Sequence, residues 1–148
     1  MATTAEENEI LIQTEDMNWG VMGDGIGIKV LRVSEETGQW TALIRQDAGA
    51  TFAPHKHLAP ADFYVLKGAL EYRMGRAPAG SFAYEPLGAI HDETTCSEET
   101  IYIFTAHGPV IFYNEDGSVS QVLSHENILG IVNGTAQNYS ADQARPAA

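Results

Sequence analysis

Two short stretches of the chain carry three of its five histidines. In residues 49–57, His55 and His57 stand two positions apart, and residues 80–91 end in a Pro-x-Gly turn followed by His91. Alternate residues of a β-strand point to the same side, so the first two imidazoles can aim at one point. Three imidazoles that converge from two strands form a site for a divalent transition metal.

Two charged residues lie on strands that flank the histidines. Glu85 alternates with the small residues Ser81 and Ala83, and this pattern favours a cavity wall over the alternative, an exposed surface position. In a cavity, the carboxylate would accept an imidazole N–H and orient that ring, or would bind the metal as an extra ligand. Arg73 follows the Gly68 turn; a residue in this position is more often exposed to solvent, but it would hold an anionic substrate if it faced the cavity.

The other histidines and the single cysteine have local sequences that suit structural roles. His107 lies in a His-Gly-Pro turn and His125 at a helix start, so neither is expected to bind the metal. Cys96 is followed by Ser-Glu-Glu, and nearby carboxylates raise the pKa of a thiol, which argues against a nucleophile. The Gly-x-Gly-x-Gly run at 23–27 lacks the spacing and the following helix that phosphate binding requires.

Strand signals dominate the chain, so strands must position these residues. About ten short strands with turn signals roughly every 6–12 residues predict an antiparallel sandwich or barrel. Ser124 is a suitable cap for one short helix over 125–131, and the apolar run at 9–13 suits an edge or exchanged strand. The predicted strands are 26–33, 39–46, the stretch up to His57, 62–66, 70–74, 81–85, 89–91, 100–106, 110–113 and 119–123, with a loop at 76–80.

Length and composition limit the kind of protein. The 148 residues, 44% hydrophobic and 19% charged, suit one domain over 1–148 with loose ends at 1–8 and 137–148. The net charge of −12 argues against nucleic acid or an anionic membrane as a partner, since both attract basic surfaces. One cysteine allows no internal disulfide and the start lacks signal-peptide features, so a cytoplasmic location is expected.

The two histidine stretches together resemble the paired motifs of the cupin superfamily. Gly49 stands five residues before His-x-His, and Gly80 stands five residues before Pro-x-Gly and its histidine. The resemblance implies an all-β fold, a single-domain cupin jelly-roll barrel or sandwich, here with a short C-terminal helix. In the first motif, the position that usually holds a glutamate ligand is Ala61, and Asp62 is expected to face outward. In the second motif, Thr95 occupies a position that is often asparagine.

A narrower resemblance is to the three-histidine cupin dioxygenases that cleave carbon–carbon bonds of diketones or of dihydroxyacetophenone. It rests on Phe52-x-x-His55-x-His57, Phe63-Tyr64-Val-Leu-x-Gly68, Tyr72-Arg73 and Tyr84-Glu85-Pro86-x-Gly88-x-x-His91-x-x-Thr94. It implies non-haem Fe(II) on His55, His57 and His91, although such sites also take Zn or Ni. It also implies a homodimer or homotetramer. The further site residues that we predict are Glu85, Arg73 and Thr94 for catalysis and Phe52, Phe63, Tyr64 and Phe104 for the substrate pocket.

The implied reaction is the oxidative cleavage of a β-diketone or an aryl α-hydroxyketone by O₂. Three neutral imidazoles leave the ion its full charge and three open octahedral positions, which suits a chelating ketone and O₂. ChrR-type cupin sensor domains are also similar, so a non-catalytic metal-binding sensor is the competing prediction. A metal-dependent isomerase or lyase is the third, and oxygen uptake separates the first from the other two.

Overall fold

The computed structural model describes residues 9–91 and 93–133, so the ends predicted to be loose lie outside the described residues. Within these ranges the chain forms fourteen strands, the helix α1 at His125–Asn133 and a short 3-10 turn at Thr14–Asp16. The strands are β1 (Gly20–Gly23), β2 (Ile26–Val33), β3 (Trp40–Gln46), β4 (Thr51–Phe52), β5 (His55–His57), β6 (Ala61–Lys67), β7 (Ala69–Tyr72), β8 (Gly75–Pro78), β9 (Phe82–Glu85), β10 (Ile90–His91), β11 (Thr94–Thr95), β12 (Thr100–Ala106), β13 (Val110–Tyr113) and β14 (Val119–Leu123).

The strands form one large sheet and two smaller ones around a common core. The large sheet has the order β1-β2-β3-β12-β6-β9, and the smaller sheets have the orders β10-β5-β13-β14 and β4-β11-β7-β8. Buried apolar side chains from all three sheets and from Ile128 of α1 belong to one cluster. The prediction of an all-β, single-domain barrel or sandwich with a short C-terminal helix is confirmed. No helix in the described part of the chain is long and apolar enough to span a membrane.

The register of the large sheet places inward-facing side chains in rows. One row runs from Trp40 on β3 through Ala106 on β12 and Ala61 on β6 to Glu85 on β9. All four residues are buried. At about 4.8 Å between neighbouring strands, the row spans about 14 Å. Only two methyl groups therefore stand between a buried indole and a buried carboxylate.

The turn from β6 to β7 depends on a glycine. Gly68 has a φ of +76°, and a Cβ at this position would clash with the carbonyl oxygen of Glu99 and the side chain of Thr100. The Thr100 hydroxyl in turn bonds the backbone N–H of Ala69 at 3.1 Å. This close approach of Gly68 to Glu99 and Thr100 determines where the chain leaves β6 of the large sheet and enters the β7–β8 hairpin.

Several predicted elements differ from the structure. The predicted strand at 70–74 and loop at 76–80 form a hairpin instead, because Gly75 at a φ of +118° turns the chain between β7 and β8. Pro78 is tolerated because β8 is an edge strand. The glycine-rich stretch contains β1, whereas residues 9–13 form no strand. Helix α1 begins at His125 as predicted, with the N–H of Glu126 bonded to the Ser124 hydroxyl at 3.3 Å.

Candidate metal centre

Two paired strands bring the three histidines together. β5 carries His55 and His57, and β10 pairs with it so that His91 lies directly opposite His55. On its other edge β5 pairs with β13, where Phe112 faces His55 and Val110 faces His57. The same-side arrangement that the His-x-His spacing predicted therefore places all three imidazoles on one inner surface.

The three imidazoles are close enough to share one ion. One ring nitrogen from each of His55, His57 and His91 lies within 4.8 Å of the other two. The ring centroids are 4.9 to 5.2 Å apart, and His57 and His91 are almost completely buried. Metal–nitrogen bonds of about 2.1 Å at octahedral or tetrahedral angles require nitrogen–nitrogen separations of about 3.0–3.4 Å, a range that lies within this 4.8 Å limit.

The hydrogen bonding of the rings also fits a metal. Both ring nitrogens of His57 and of His91 are buried without a well-formed hydrogen bond to any described residue. Buried polar atoms without partners are costly, and a cation at the centre of the cluster would supply the missing interactions. His55 Nδ1 lies 2.8 Å from the carbonyl oxygen of Ala53; if it donates there, Nε2 keeps its lone pair for the metal.

Glu85 brings a carboxylate to the histidines. Its Oε2 lies 2.8 Å from His57 Nε2 and its Oε1 lies 3.4 Å from His91 Nε2. Glu85 pairs across the sheet with Ala61, the position at which the usual glutamate ligand is missing. The neighbouring strand β9 therefore supplies a carboxylate directly opposite the position that usually holds the glutamate ligand. The inward orientation predicted from the alternation of Ser81, Ala83 and Glu85 is confirmed, since the carboxylate is buried.

The electrostatics of the cluster prepare it for a cation at neutral pH. Burial opposes ionisation of Glu85, but its close contacts and charge interactions with His57 and His91 outweigh it and lower the pKa of the carboxyl to about 2. Burial lowers the pKa of His55 to about 4, despite the opposing bond to Ala53. At neutral pH the site therefore holds a charged carboxylate and, at His55, a neutral imidazole that can bind metal.

Two cavities meet at Glu85. An inner cavity of about 60 Å³ lies inside the barrel, and an outer cleft of about 430 Å³ opens beside the β7–β8 turn. Glu85 lines both, whereas His55 and His57 line the inner cavity and His91 lines the cleft. The histidine cluster thus lies between the small inner cavity and the larger outer cleft.

Most of the other predicted site residues lie along these two cavities. The inner cavity is lined by Phe52, Phe63, Thr94 and Phe104. Arg73 was predicted within the strand at 70–74, but it is exposed in the turn after β7 and lines the outer cleft together with Glu85 and His91. The structure therefore brings Arg73 to the mouth of the site and the aromatic residues to its inner wall.

The structure corrects the prediction for Tyr64. Its side chain is 43% exposed, because the alternation along β6 turns the neighbouring Phe63 and Val65 inward and Tyr64 outward. Tyr64 therefore does not line the inner cavity. Asp62 also faces outward, as predicted, where its carboxylate lies 3.3 Å from Nε2 of the exposed His107.

Two site residues were missed by sequence reasoning. Tyr72 was named in the Tyr72-Arg73 motif and received no site role, but it lines the outer cleft with its ring centroid 6.0 Å from that of His91. Trp40 received no role, yet it lines the inner cavity with the two histidines of β5. The motif could have indicated Tyr72, whereas Trp40 has no local sequence signal, since its proximity to the histidines depends on strand pairing across the barrel.

Comparison with known proteins places this geometry in a family. A family model described as a ChrR cupin-like domain matches residues 7–111. An acetylacetone-cleaving enzyme of Acinetobacter johnsonii is 37% identical over 101 residues. That similarity covers 64% of this chain and 66% of the enzyme, so the chain spans slightly less than two thirds of that relative's length.

Solved structures show the same fold. The crystal structure of an acetylacetone dioxygenase from Acinetobacter johnsonii has a TM-score of 0.80 and 30% identity, covering 91% of this chain and 96% of that chain. The anti-sigma factor ChrR of Rhodobacter sphaeroides, solved in complex with SigE, has a TM-score of 0.57 and 21% identity, covering 64% and 51%. That second likeness concerns the fold alone. With more than two thirds of its sequence matched by the family model and three histidines gathered at one point, the chain belongs to the ChrR cupin-like family.

Proposed function

We propose that this protein is a non-haem Fe(II) dioxygenase that cleaves a carbon–carbon bond of a β-diketone or an aryl α-hydroxyketone. The observation that carries the proposal is the three-histidine cluster with Glu85 beside it, between a small inner cavity and a larger outer cleft. Similarity to an acetylacetone-cleaving enzyme supports this choice of reaction.

The histidines and Glu85 would hold the metal and fix its surroundings. Bound Fe(II) would supply positive charge that polarises the ketone oxygens and redox chemistry toward dioxygen. His55 is oriented by its contact with the Ala53 carbonyl, and Glu85 contacts His57 and His91. Partners of this kind hold ligand rings in place and increase their basicity.

Arg73 would attract the substrate to the cleft. A β-diketone readily forms an enolate, whereas the chain as a whole carries a net charge of −12 and repels anions. Arg73 places a positive charge in the cleft that also contains Glu85 and His91. Its local charge would offset the overall repulsion and direct the enolate oxygens toward the histidines.

The inner cavity would keep water away from the reacting ketone. Phe52, Phe63 and Phe104 line it beside His55 and His57. An apolar wall excludes water that would compete with the substrate and strengthens polar interactions inside the site. The small volume favours a compact ketone over a bulky one.

Oxygen consumption by metal-loaded protein tests the proposal. The Fe(II) form should consume one O₂ for each ketone cleaved, with one oxygen atom entering each fragment at the broken bond. The His91→Ala variant should be inactive, whereas His107→Ala should be active, because His107 is exposed and lies outside the cluster. Absence of oxygen uptake across a panel of both ketone classes, with iron content verified, would contradict it.

A metal-binding sensor without catalysis is the second candidate, because the family model that matches the chain is the ChrR cupin-like domain. A sensor would bind one metal per chain and consume neither ketone nor oxygen. An isomerase or lyase would consume substrate without oxygen. The same oxygen-uptake assay, combined with product analysis, therefore distinguishes all three functions.

We also propose that the protein forms a homodimer or homotetramer and is located in the cytoplasm. The outer surface of β6 and β9 exposes the large side chains of Tyr64, Leu66, Phe82 and Tyr84. Contiguous apolar surface of this kind is typical of contacts between subunits. Light scattering at several protein concentrations would measure the mass, and a monomer at every concentration would contradict this part.

A further inference from the structure

Trp40 carries a buried hydrogen-bond donor that is not used within the described structure. The side chain is 1% exposed, and its Nε1–H has no hydrogen-bond partner among residues 9–91 and 93–133. A buried N–H without a partner loses its hydration and gains nothing in return. Such a group in a cavity wall is suited to receive an acceptor from a ligand.

The position of Trp40 connects it to the histidine cluster. Trp40 lines the inner cavity together with His55, His57 and Glu85. Its ring centroid lies 5.4 Å from that of Phe104, which in turn lies 6.4 Å from that of His57. In the row that leads from Trp40 to Glu85, Ala61 and Ala106 contribute only methyl groups. Trp40 therefore marks the far end of the cavity from the carboxylate.

The other groups around the cavity define the acceptor that fits. Tyr102 lines the same cavity, but its hydroxyl donates to Gln46 Oε1 at 2.7 Å. No lysine or arginine side chain among the described residues lines the inner cavity. A carboxylate at this end would be buried without a counter-ion, which is strongly unfavourable. A neutral oxygen needs only one donor, and Trp40 can provide it.

We propose that the Nε1–H of Trp40 recognises a neutral oxygen at the end of the ketone remote from the three histidines, which makes Trp40 a specificity-determining residue. The inference rests on the proposed function, because it assumes that a ketone occupies the inner cavity. It narrows the substrate class to ketones with a further neutral oxygen acceptor, and it disfavours ketones that end in a carboxylate.

A matched ligand pair isolates this contact. The pair is heptane-2,4-dione and 1-methoxypentane-2,4-dione. The second compound has an ether oxygen in place of the methylene next to the methyl group of the propyl end. Calorimetric titration of Zn(II)-loaded protein measures binding of both without turnover. Wild-type protein should prefer the ether, and Trp40→Phe should lower that preference about three- to tenfold, the value of one neutral hydrogen bond.

Trp19 provides the matched control. It is the only other tryptophan in the chain, its ring centroid lies 4.6 Å from the cationic groups of Lys29 and Arg45, and it does not line the inner cavity. Trp19→Phe should retain the ether preference. The same variant assigns the two indole N–H signals in a nitrogen–proton correlation spectrum of wild-type protein. The Trp40 signal should shift more on adding the ether than on adding the alkyl ligand, which tests the contact even if Trp40→Phe fails to fold.

The outcomes separate this inference from the proposed function. If both ligands bind equally well, or if Trp40→Phe keeps the full preference, the role of Trp40 is wrong while the ketone site remains supported. An indole signal that responds identically to both ligands would also overturn it. If metal-loaded protein binds neither ligand, the proposed ketone site itself fails, and the inference fails with it.

Discussion

At the scale of single residues, the metal centre depends on three imidazoles, and each should be indispensable. Replacing His91 by Ala leaves two ligands, which should remove most of the bound metal because affinity depends on ligand number. Metal analysis after dialysis should find approximately one ion per chain in wild-type protein and far less in the variant. His107→Ala is the control, since His107 is exposed and faces Asp62. Stoichiometric metal in the His91 variant would refute the ligand assignment.

Glu85→Gln tests the carboxylate. Glutamine preserves the size of the buried side chain but removes the charge that lies 2.8 Å from His57 and 3.4 Å from His91. Metal affinity or turnover should fall roughly 10–100-fold while the fold is retained. Glu99→Gln is a suitable control, because Glu99 is exposed and pairs with Lys67 at the surface. Equal metal affinity in wild-type and Glu85→Gln proteins would show that the carboxylate has no role in metal binding.

The low pKa of His55 predicts how acid affects the metal-free protein. The unfolded chain takes up a proton at His55 near pH 6.5, whereas the folded state resists until about pH 4. Stability should therefore fall as pH decreases through this interval, by up to roughly 3 kcal/mol for His55. Glu85 acts in the same direction below about pH 4.5, since its pKa is lowered to about 2.

Denaturation of metal-free protein at a series of pH values measures this effect. His55→Asn lacks the titrating ring and should lose the steepest part of the decline between pH 6.5 and pH 4. Parallel curves for the two proteins across that interval would contradict the predicted contribution. Metal affinity should also weaken with acid, because protons compete for the ligand nitrogens.

Residue-level predictions succeeded where strand alternation was enough. The spacing of His55 and His57 and the alternation around Glu85 correctly predicted that all three side chains point to the inner surface. Tyr64 was misplaced because the resemblance named a motif position, whereas the alternation along β6 turns that side chain outward. Trp40 was missed because its place at the cavity depends on pairing with β12, which no local pattern encodes.

At the scale of elements, the β6–β7 turn predicts an unequal response to alanine at two glycines. Gly68 and Gly80 have φ values of +76° and +91°, so alanine introduces comparable backbone strain of about 1–2 kcal/mol at both. Only at Gly68 would the added methyl clash, with Glu99 and Thr100. The free energy of unfolding of Gly68→Ala should therefore be about 1–3 kcal/mol lower than that of Gly80→Ala.

Urea denaturation of both variants tests this difference. Gly80 has no heavy atom within 4 Å of the position that its Cβ would occupy, so it isolates the backbone strain. Equal stabilities of Gly68→Ala and Gly80→Ala would indicate that the turn relaxes freely. The existence of this turn could be predicted from the sequence. The β7–β8 hairpin beyond it could not, because Pro78 signals a loop unless β8 is known to be an edge strand.

At the scale of the whole molecule, the two cavities give the site its character. The fold class followed from strand periodicity and the paired motifs, but cavities form from side chains of distant strands. The residues that line the inner cavity come from all three sheets. Sequence patterns could therefore not give the small volume of the inner cavity or the position of Glu85 between cavity and cleft. They also could not place the exposed Arg73 at the mouth of the site.

The most direct test of the proposed function follows isotopically labelled dioxygen into the products. Fe(II)-loaded protein should cleave a β-diketone so that the released carboxylic acid carries one labelled oxygen atom, as mass spectrometry would show. The His91→Ala variant should give no labelled acid, because its three-histidine cluster is incomplete. An unlabelled acid, formed without oxygen consumption, would show hydrolytic cleavage and contradict a dioxygenase.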